Sequence, residues 1–163
     1  MTGTNATADT RTRPLRGDDL ERMIIIDQAH TGRSRRRFLA KRLTSATQHP
    51  ENFVHLGIDR GGVLVGFVLA RLLQGEFGRA DSSAAVDLLG VAPDGQEHGY
   101  GHALMDGLLG EARQRGVQHL QSEAEWTNHS LLRFFDATGF KLANRVVLER
   151  RVGEPFNESV EDI

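Results

Sequence analysis

The sequence predicts a single α/β domain of mixed type. A central, mixed, mostly antiparallel sheet of roughly six to seven strands is flanked by about four helices. Three observations predict it. Apolar residues recur at three- and four-residue spacing over Leu20, Met23 and Ile24, and again over Phe38, Leu39 and Leu43, which reads as two helices. From Phe53 to Val91 the spacing gives way to β-branched and leucine-rich runs separated by turn residues, which reads as consecutive strands. After Val91 the pattern alternates between helix and strand.

The elements follow in order. Residues Met1 to Thr12 are polar and without periodicity, an expected disordered tail. The domain is expected over 13–153, and the acidic segment 154–163 is expected to be a flexible tail. A short first strand surrounds Pro14 and Leu15. Asp18 is placed to cap the first helix, and a second helix is expected from Ser34 to Ala46. Phe53–Asp59 and Val63–Leu72 are strands joined by the hairpin turn Arg60-Gly61-Gly62. A loop covers Gln74–Ser83, and Ala84–Val91 is a further strand. Pro93-Asp94-Gly95 supplies turn chemistry. A helix runs from Gly99 to Arg115 with Gly116 as its stop. His119–Trp126 reads as a strand and Asn128–Thr138 as a helix. A last strand pair is expected to end with Val146–Val152.

Composition bounds the function. The chain has 163 residues with 39% hydrophobic and 26% charged residues, enough for one domain with a real core. Its net charge is -2, which gives no general reason to expect nucleic acid or an anionic membrane as partner. Cysteine is absent, so disulfides, thiolate nucleophiles and cysteine metal sites are excluded. The seven histidines show no metal-ligand spacing, and no metal site is expected. No apolar run approaches the ~18 residues of a membrane span, so a cytoplasmic location is the default expectation.

One loop carries a chemical signal. Behind the strand ending at Val91 come a turn, glycines at 99 and 101, and a helix. Glycine permits positive φ and close approach of a ligand to the backbone. A helix start offers unpaired N–H groups and partial positive charge, which together suit an anion. The dinucleotide fingerprint fails, because Leu104 stands where a third glycine or alanine is needed, and the Gly-Lys-Ser/Thr of a P-loop is absent.

Val91-Ala92-Pro93 followed by Gln96-Glu97-His98-Gly99-Tyr100-Gly101 resembles motif A of the GNAT superfamily, Gln/Arg-x-x-Gly-x-Gly/Ala. Asn128, Phe135, Gly139 and Phe140 resemble its motif B. The resemblance spans about Phe53 to Val152, with a motif layout like that of the ribosomal-protein N-terminal acetyltransferases. It implies an acetyl-CoA-dependent N-acetyltransferase that transfers an acetyl group to a primary amine in a ternary complex. It implies that Leu89, Gly90 and Val91 pair with the pantetheine arm. Gln96, Glu97, His98, Gly99, Tyr100, Gly101 and His102 would then form the pyrophosphate loop. Mid-strand Gly90 suits either a bulge or a close backbone approach. Where many relatives carry Arg or Lys, this loop has Gln96, Glu97 and His98, so its anion binding is expected to rest on backbone N–H groups.

Acyl transfer needs a base for the amine, stabilisation of the oxyanion, and departure of the thiolate. The resemblance implies Glu123 as general base. Glu125 falls on the same strand face, where two carboxylates would raise the pKa of one. Asp87, inside the apolar run Val86–Leu89, is a second candidate base, or else a structural or acceptor-binding group. Asn128 is either a CoA contact or a helix cap. The family's acidic Tyr is replaced by Phe135, which has no proton to give. This opens a second reading, a catalytically weak acyl-CoA-binding regulatory or interaction module. Arg33, Arg35, Arg36 and Arg37 oppose the dipole of the second helix unless carboxylates, a bound anion or an acidic acceptor offset them. The identity of the amine and the oligomeric state stay open; homodimers are common in the superfamily.

Overall fold

The computed structural model describes residues 11–155. Most of the two expected tails, residues 1–10 and 156–163, lies outside the described residues. Five strands form one sheet in the order β1 (Thr12–Pro14), β2 (Phe53–Arg60), β3 (Val63–Leu73), β4 (Ser83–Val91) and β5 (His119–Gln121). Four helices accompany it: α1 (Leu20–Thr31), α2 (Arg36–Gln48), α3 (Tyr100–Gln114) and α4 (His129–Ala137). Neighbours from β1 to β4 are antiparallel, and β5 alone runs parallel to β4.

Alternation along the strands divides the core between the two faces of the sheet. Leu64, Phe67 and Leu69 of β3 pack with Met23, Ile26, Leu39 and Leu43 of α1 and α2. Val65, Val68 and Ala70 of the same strand pack with Leu104, Met105 and Leu108 of α3 and with Phe135 of α4. Gly116 ends α3 as expected, and Gly139 ends α4 in the same way. Gly116 and Gly139 have φ of 73° and 90°. The following N–H groups, of Val117 and Phe140, reach back to Ala112 and Phe135 at 2.9 Å, closing α3 and α4.

The sheet has five strands among the described residues, not six to seven. The expected last pair ending at Val146–Val152 is not formed. Leu142, Val146, Leu148 and Val152 are exposed in irregular chain. Their apolar pattern asks for burial, but a strand also needs a partner edge, and β5 offers only three residues. The strand expected over His119–Trp126 likewise stops at Gln121.

Arg13 ties the opening of the chain to the sheet. Its guanidinium donates to both carboxylate oxygens of Asp19 at 2.8 and 2.9 Å and to both of Asp59 at 2.8 Å. Asp19 also accepts from the Arg16 N–H at 2.7 Å, so Asp19, and not Asp18, organises the entry to α1. Burial works to raise the Asp19 pKa, yet the hydrogen bonds from Arg13 and Arg16 hold it below its ordinary value. On β2, His55 Nδ1 accepts from the Leu15 N–H at 3.2 Å, which requires a neutral ring. Burial, aided by Arg115, lowers the pKa of His55.

The sign of the resulting pH dependence follows. A depressed histidine means that the unfolded chain binds the extra proton first. Stability is therefore complete above the ordinary value of 6.5 and declines as the pH falls below it. Chemical denaturation of the wild type from pH 8 to pH 5 is expected to show this decline. His55→Gln, which keeps an acceptor but does not titrate there, is expected to flatten it. Parallel profiles of the two proteins would count against this account.

Candidate functional site

The site begins where two strands part. β4 and β5 pair only over Ser83–Ala85 and His119–Gln121. One further link, from the Ser122 hydroxyl to the Val86 carbonyl at 3.1 Å, holds the fork. Beyond it β4 continues to Val91 with β3 as its only strand neighbour among the described residues. The Ala92 N–H donates to the Val65 carbonyl at 2.7 Å, which marks Val65 and Ala92 as a hydrogen-bonded pair. Antiparallel alternation then turns the N–H and C=O groups of Leu89 and Val91 away from β3, toward the open side. His30, from the end of α1, contacts the Val91 carbonyl there through Nε2 at 2.7 Å.

Gly90 differs from its two neighbours. Its backbone falls to the β3 side, opposite Phe67. A Cβ at this position would stand 3.1 Å from Ile26 and from the Phe67 ring. Close packing of α1 on the sheet therefore accounts for this glycine, while the ladder groups turned away from β3 belong to Leu89 and Val91, with the Val91 carbonyl taken by His30.

The loop from Gln96 to Gly99 leads into α3. The helix has no side-chain cap at Gly99 and no acidic residue in its first turn. Its first backbone bond runs from the Ala103 N–H to the Gly99 carbonyl at 3.0 Å. The N–H groups of Tyr100, Gly101 and His102 thus open the helix without intrahelical partners. The two motif glycines serve different ends. Gly99 has φ of 79° and open space where a side chain would stand, so it provides the left-handed turn into α3. A Cβ on Gly101 would lie 2.9 Å from the Phe134 ring, so Gly101 lets α4 approach α3. Glu97 also has positive φ, 68°, a strained setting for a residue with a Cβ. Gln96, Glu97 and His98 are exposed, and His98 Nδ1 contacts the Gln96 carbonyl at 2.9 Å. His102 meets the Phe134 ring edge-on at 5.6 Å.

Tyr100 points inward, so within the loop only its backbone N–H faces a ligand. Its ring is 1% exposed within the core below α3, and its hydroxyl has no partner among the described residues. A buried unpaired hydroxyl costs about 1–3 kcal/mol. Tyr100→Phe is expected to raise the unfolding free energy by about 1 kcal/mol, read from the denaturation midpoint at constant slope. A drop in stability would mean that the hydroxyl is satisfied.

The candidate bases lie beside the fork. Asp87 follows Val86, whose carbonyl takes the Ser122 hydroxyl, and Glu123 follows Ser122. Glu123 and Glu125 are exposed in irregular chain just past β5, with no ion pair among the described residues. Asp87 is largely buried, and its Oδ2 lies 3.4 Å from Arg71 and 3.6 Å from Arg42. These two guanidinium groups explain how the apolar strand tolerates a carboxylate. Asn128 caps α4 through Oδ1, which accepts from the Leu131 N–H at 3.2 Å. Its Nδ2 donor is not used by that cap. Phe135 is buried, with its ring 4.7 Å from Phe140 and 6.0 Å from Phe134, so it belongs to the core.

Sequence reasoning missed His30 and Arg42. Both sit on helices with no local motif, and only the packing of α1 and α2 on the sheet brings them to β4. Among the described residues no three His, Asp or Glu side chains gather as a metal site would require. No described helix is long and apolar enough to cross a membrane.

Known proteins resemble the chain in sequence and in fold. The chain is 26% identical over 100 residues to the ribosomal protein bS18-alanine N-acetyltransferase of Escherichia coli strain K12, covering 61% of this chain and 63% of that one. It is 26% identical over 136 residues to mycothiol acetyltransferase of Propionibacterium freudenreichii subsp. shermanii, covering 80% of this chain and 42% of the relative. The chain thus spans less than two thirds of the length of these relatives. Among solved structures, aminoglycoside N-acetyltransferase AAC(6')-Iy in complex with CoA superposes with a TM-score of 0.73 at 15% identity, covering 87% of this chain and 94% of that one. Ribosomal-protein-alanine N-acetyltransferase from Brucella melitensis biovar Abortus 2308 superposes with a TM-score of 0.68 at 20% identity, covering 88% and 99%. At these identities the structural likeness concerns the fold. The family match itself covers residues 20–140, from the first residue of α1 to the turn that closes α4, and the chain belongs to the acetyltransferase (GNAT) family.

Proposed function

We propose that the chain is an acetyl-CoA-dependent N-acetyltransferase acting on a primary amine. The observation that carries this reading is the parted β4 edge leading directly into the uncapped start of α3. The outward N–H and C=O of Leu89 and the N–H of Val91 suit the amides of a pantetheine arm, while His30 already holds the Val91 carbonyl. The N–H groups of Tyr100, Gly101 and His102 suit a pyrophosphate, with the helix dipole adding to them. The fit is to backbone groups, in keeping with the absence of Arg or Lys from Gln96–His98.

In this reading the amine and acetyl-CoA are held together. Glu123 takes a proton from the ammonium, directly or through water, and the amine nitrogen attacks the acetyl carbonyl. The Leu89 N–H polarises that carbonyl. The carbon–sulfur bond breaks as the nitrogen gives up its second proton to solvent, leaving the neutral N-acetyl product and CoA thiolate, which takes up a proton from solvent. Asp87 is the second candidate base, although Arg42 and Arg71 already share its Oδ2. Asn128 can offer Nδ2 to the cosubstrate while Oδ1 holds its cap.

A second reading, a weak or inactive acyl-CoA-binding module, is favoured by the buried Phe135, which leaves no hydroxyl where the resemblance implies one. Calorimetry with acetyl-CoA and mass spectrometry over an amine panel separate the two. Binding with CoA release and a mass increase on an acceptor supports the enzyme. Binding without release on any amine supports the module. Absence of acetyl-CoA binding removes both.

A further inference from the structure

We propose that the exposed start of α2 selects acceptors that carry a carboxylate or phosphate near the amine. The inference rests on the acetyl-transfer reading above and narrows its substrate class. Between Gln28 and Pro50 the chain holds Arg33, Arg35, Arg36, Arg37, Lys41 and Arg42 and no Asp or Glu, although the whole chain carries a net charge of -2. Three of these cations are engaged within the fold. Arg35 pairs with Asp27, Arg36 with Glu21, and Arg42 approaches Asp87. Arg33, Arg37 and Lys41 are exposed and have no ion pair among the described residues.

Residues Arg33 to Phe38 line an open hollow of about 540 Å³. Like charges crowded there repel one another, and α2 has no acidic residue in its first turn to offset them. An anion in the hollow removes both penalties. The hollow is also joined to the candidate site. Arg35 and Arg42 lie over the Phe38 ring at 5.3 and 5.5 Å from its centre. Arg42 in turn stands 3.6 Å from Asp87 on β4. An acceptor whose anion rests against Arg33 and Arg37 is thereby held beside the β4 edge. Charge of this sign also steers such an acceptor over distances of about a Debye length. The cosubstrate's phosphates are assigned to the start of α3, which leaves this cationic surface to the acceptor.

Matched amines test the proposal. CoA release is followed with phosphoethanolamine against ethanolamine, and with the amidated peptides Ala-Glu-Glu-Ala against Ala-Gln-Gln-Ala. The comparison is made for the wild type and for the triple variant Arg33→Ala, Arg37→Ala, Lys41→Ala. In the wild type the acidic member of at least one pair is expected to have a kcat/KM about tenfold higher, with the advantage shrinking as KCl is raised. The triple variant is expected to lose that ratio through KM. Equal use of acidic and neutral amines by the wild type overturns the proposal, and so does a ratio that survives in the variant. A loss that appears instead as weaker acetyl-CoA binding by calorimetry overturns it too, because the anion would then belong to the cosubstrate. Acetyl-CoA binding by the wild type without CoA release from any amine defeats the transferase reading itself, a result distinct from the other three.

Discussion

Glu123→Gln is expected to lower kcat by about 10²- to 10⁴-fold, the range of a positioned general base, with acetyl-CoA binding unchanged. The substitution keeps the size of the side chain and removes its ability to take a proton. Glu123 is exposed and free of ion pairs among the described residues, so the change is not expected to disturb folding. Its partner at the fork, Ser122, anchors the backbone independently through the Val86 carbonyl. The measurement is steady-state CoA release with the best acceptor, together with calorimetry for acetyl-CoA. An unchanged rate would move the base to Asp87 or to water. Asp87→Asn separates those two, since only a carboxylate base is lost in that variant. The pH profile adds an internal check. If one carboxylate is the base, the acidic limb of kcat/KM present in the wild type disappears from the variant that lacks it.

Arg13→Met carries the largest expected effect on stability, a loss of about 3 kcal/mol. Removing one partner of a buried pair leaves the other charge uncompensated, and Asp19 is the residue stranded here, with its side chain only 9% exposed. The low end of the usual range applies because Asp59, the second partner, is 30% exposed and regains water. Urea denaturation at neutral pH measures the loss. Acid should reveal the same network in the wild type. The Asp19 pKa is depressed in the fold, so its contribution is complete above the ordinary value of 3.8 and is lost as the pH falls through the lower folded value. Wild type and Arg13→Met should therefore converge in stability toward low pH. A constant difference down to the acid transition would argue that Arg13 acts through packing alone.

Much of this architecture is legible in the sequence because short-range chemistry determines it. Arg60-Gly61-Gly62 turns with φ of 59° and 78° at its glycines, and a hairpin between apolar runs follows. Gly116 and Gly139 stop their helices for the same stereochemical reason. The motif glycines and Asn128 are legible because a left-handed turn, close helix packing and helix capping each leave a local signature at the candidate site. What the sequence conceals depends on partners far along the chain. The Val146–Val152 alternation predicts a strand, but nothing local records whether an edge is available to receive it. Asp87 reads as a costly carboxylate until β3 and α2 bring Arg71 and Arg42 to it. Gly90 reads as a ligand contact until α1 brings Ile26 against it.

The parallel joint between β4 and β5 has a consequence for motion. Strands β2, β3 and β4 hold one another along most of their lengths, whereas β5 is attached over Ser83–Ala85, by the Gln118 and His119 N–H groups on the Ser82 carbonyl, by Arg79 on the Gln121 side chain and by the Ser122 hydroxyl. The wall that carries Glu123 is thus held by fewer strand pairings than the centre of the sheet and opens at lower cost. Amide protons of Leu120 and Gln121 are expected to exchange with deuterium sooner than those of Phe67 and Val68 at the sheet's centre. A molecule lying between the two walls would bridge them and slow that exchange, so occupancy of the cleft should be visible as protection on β5.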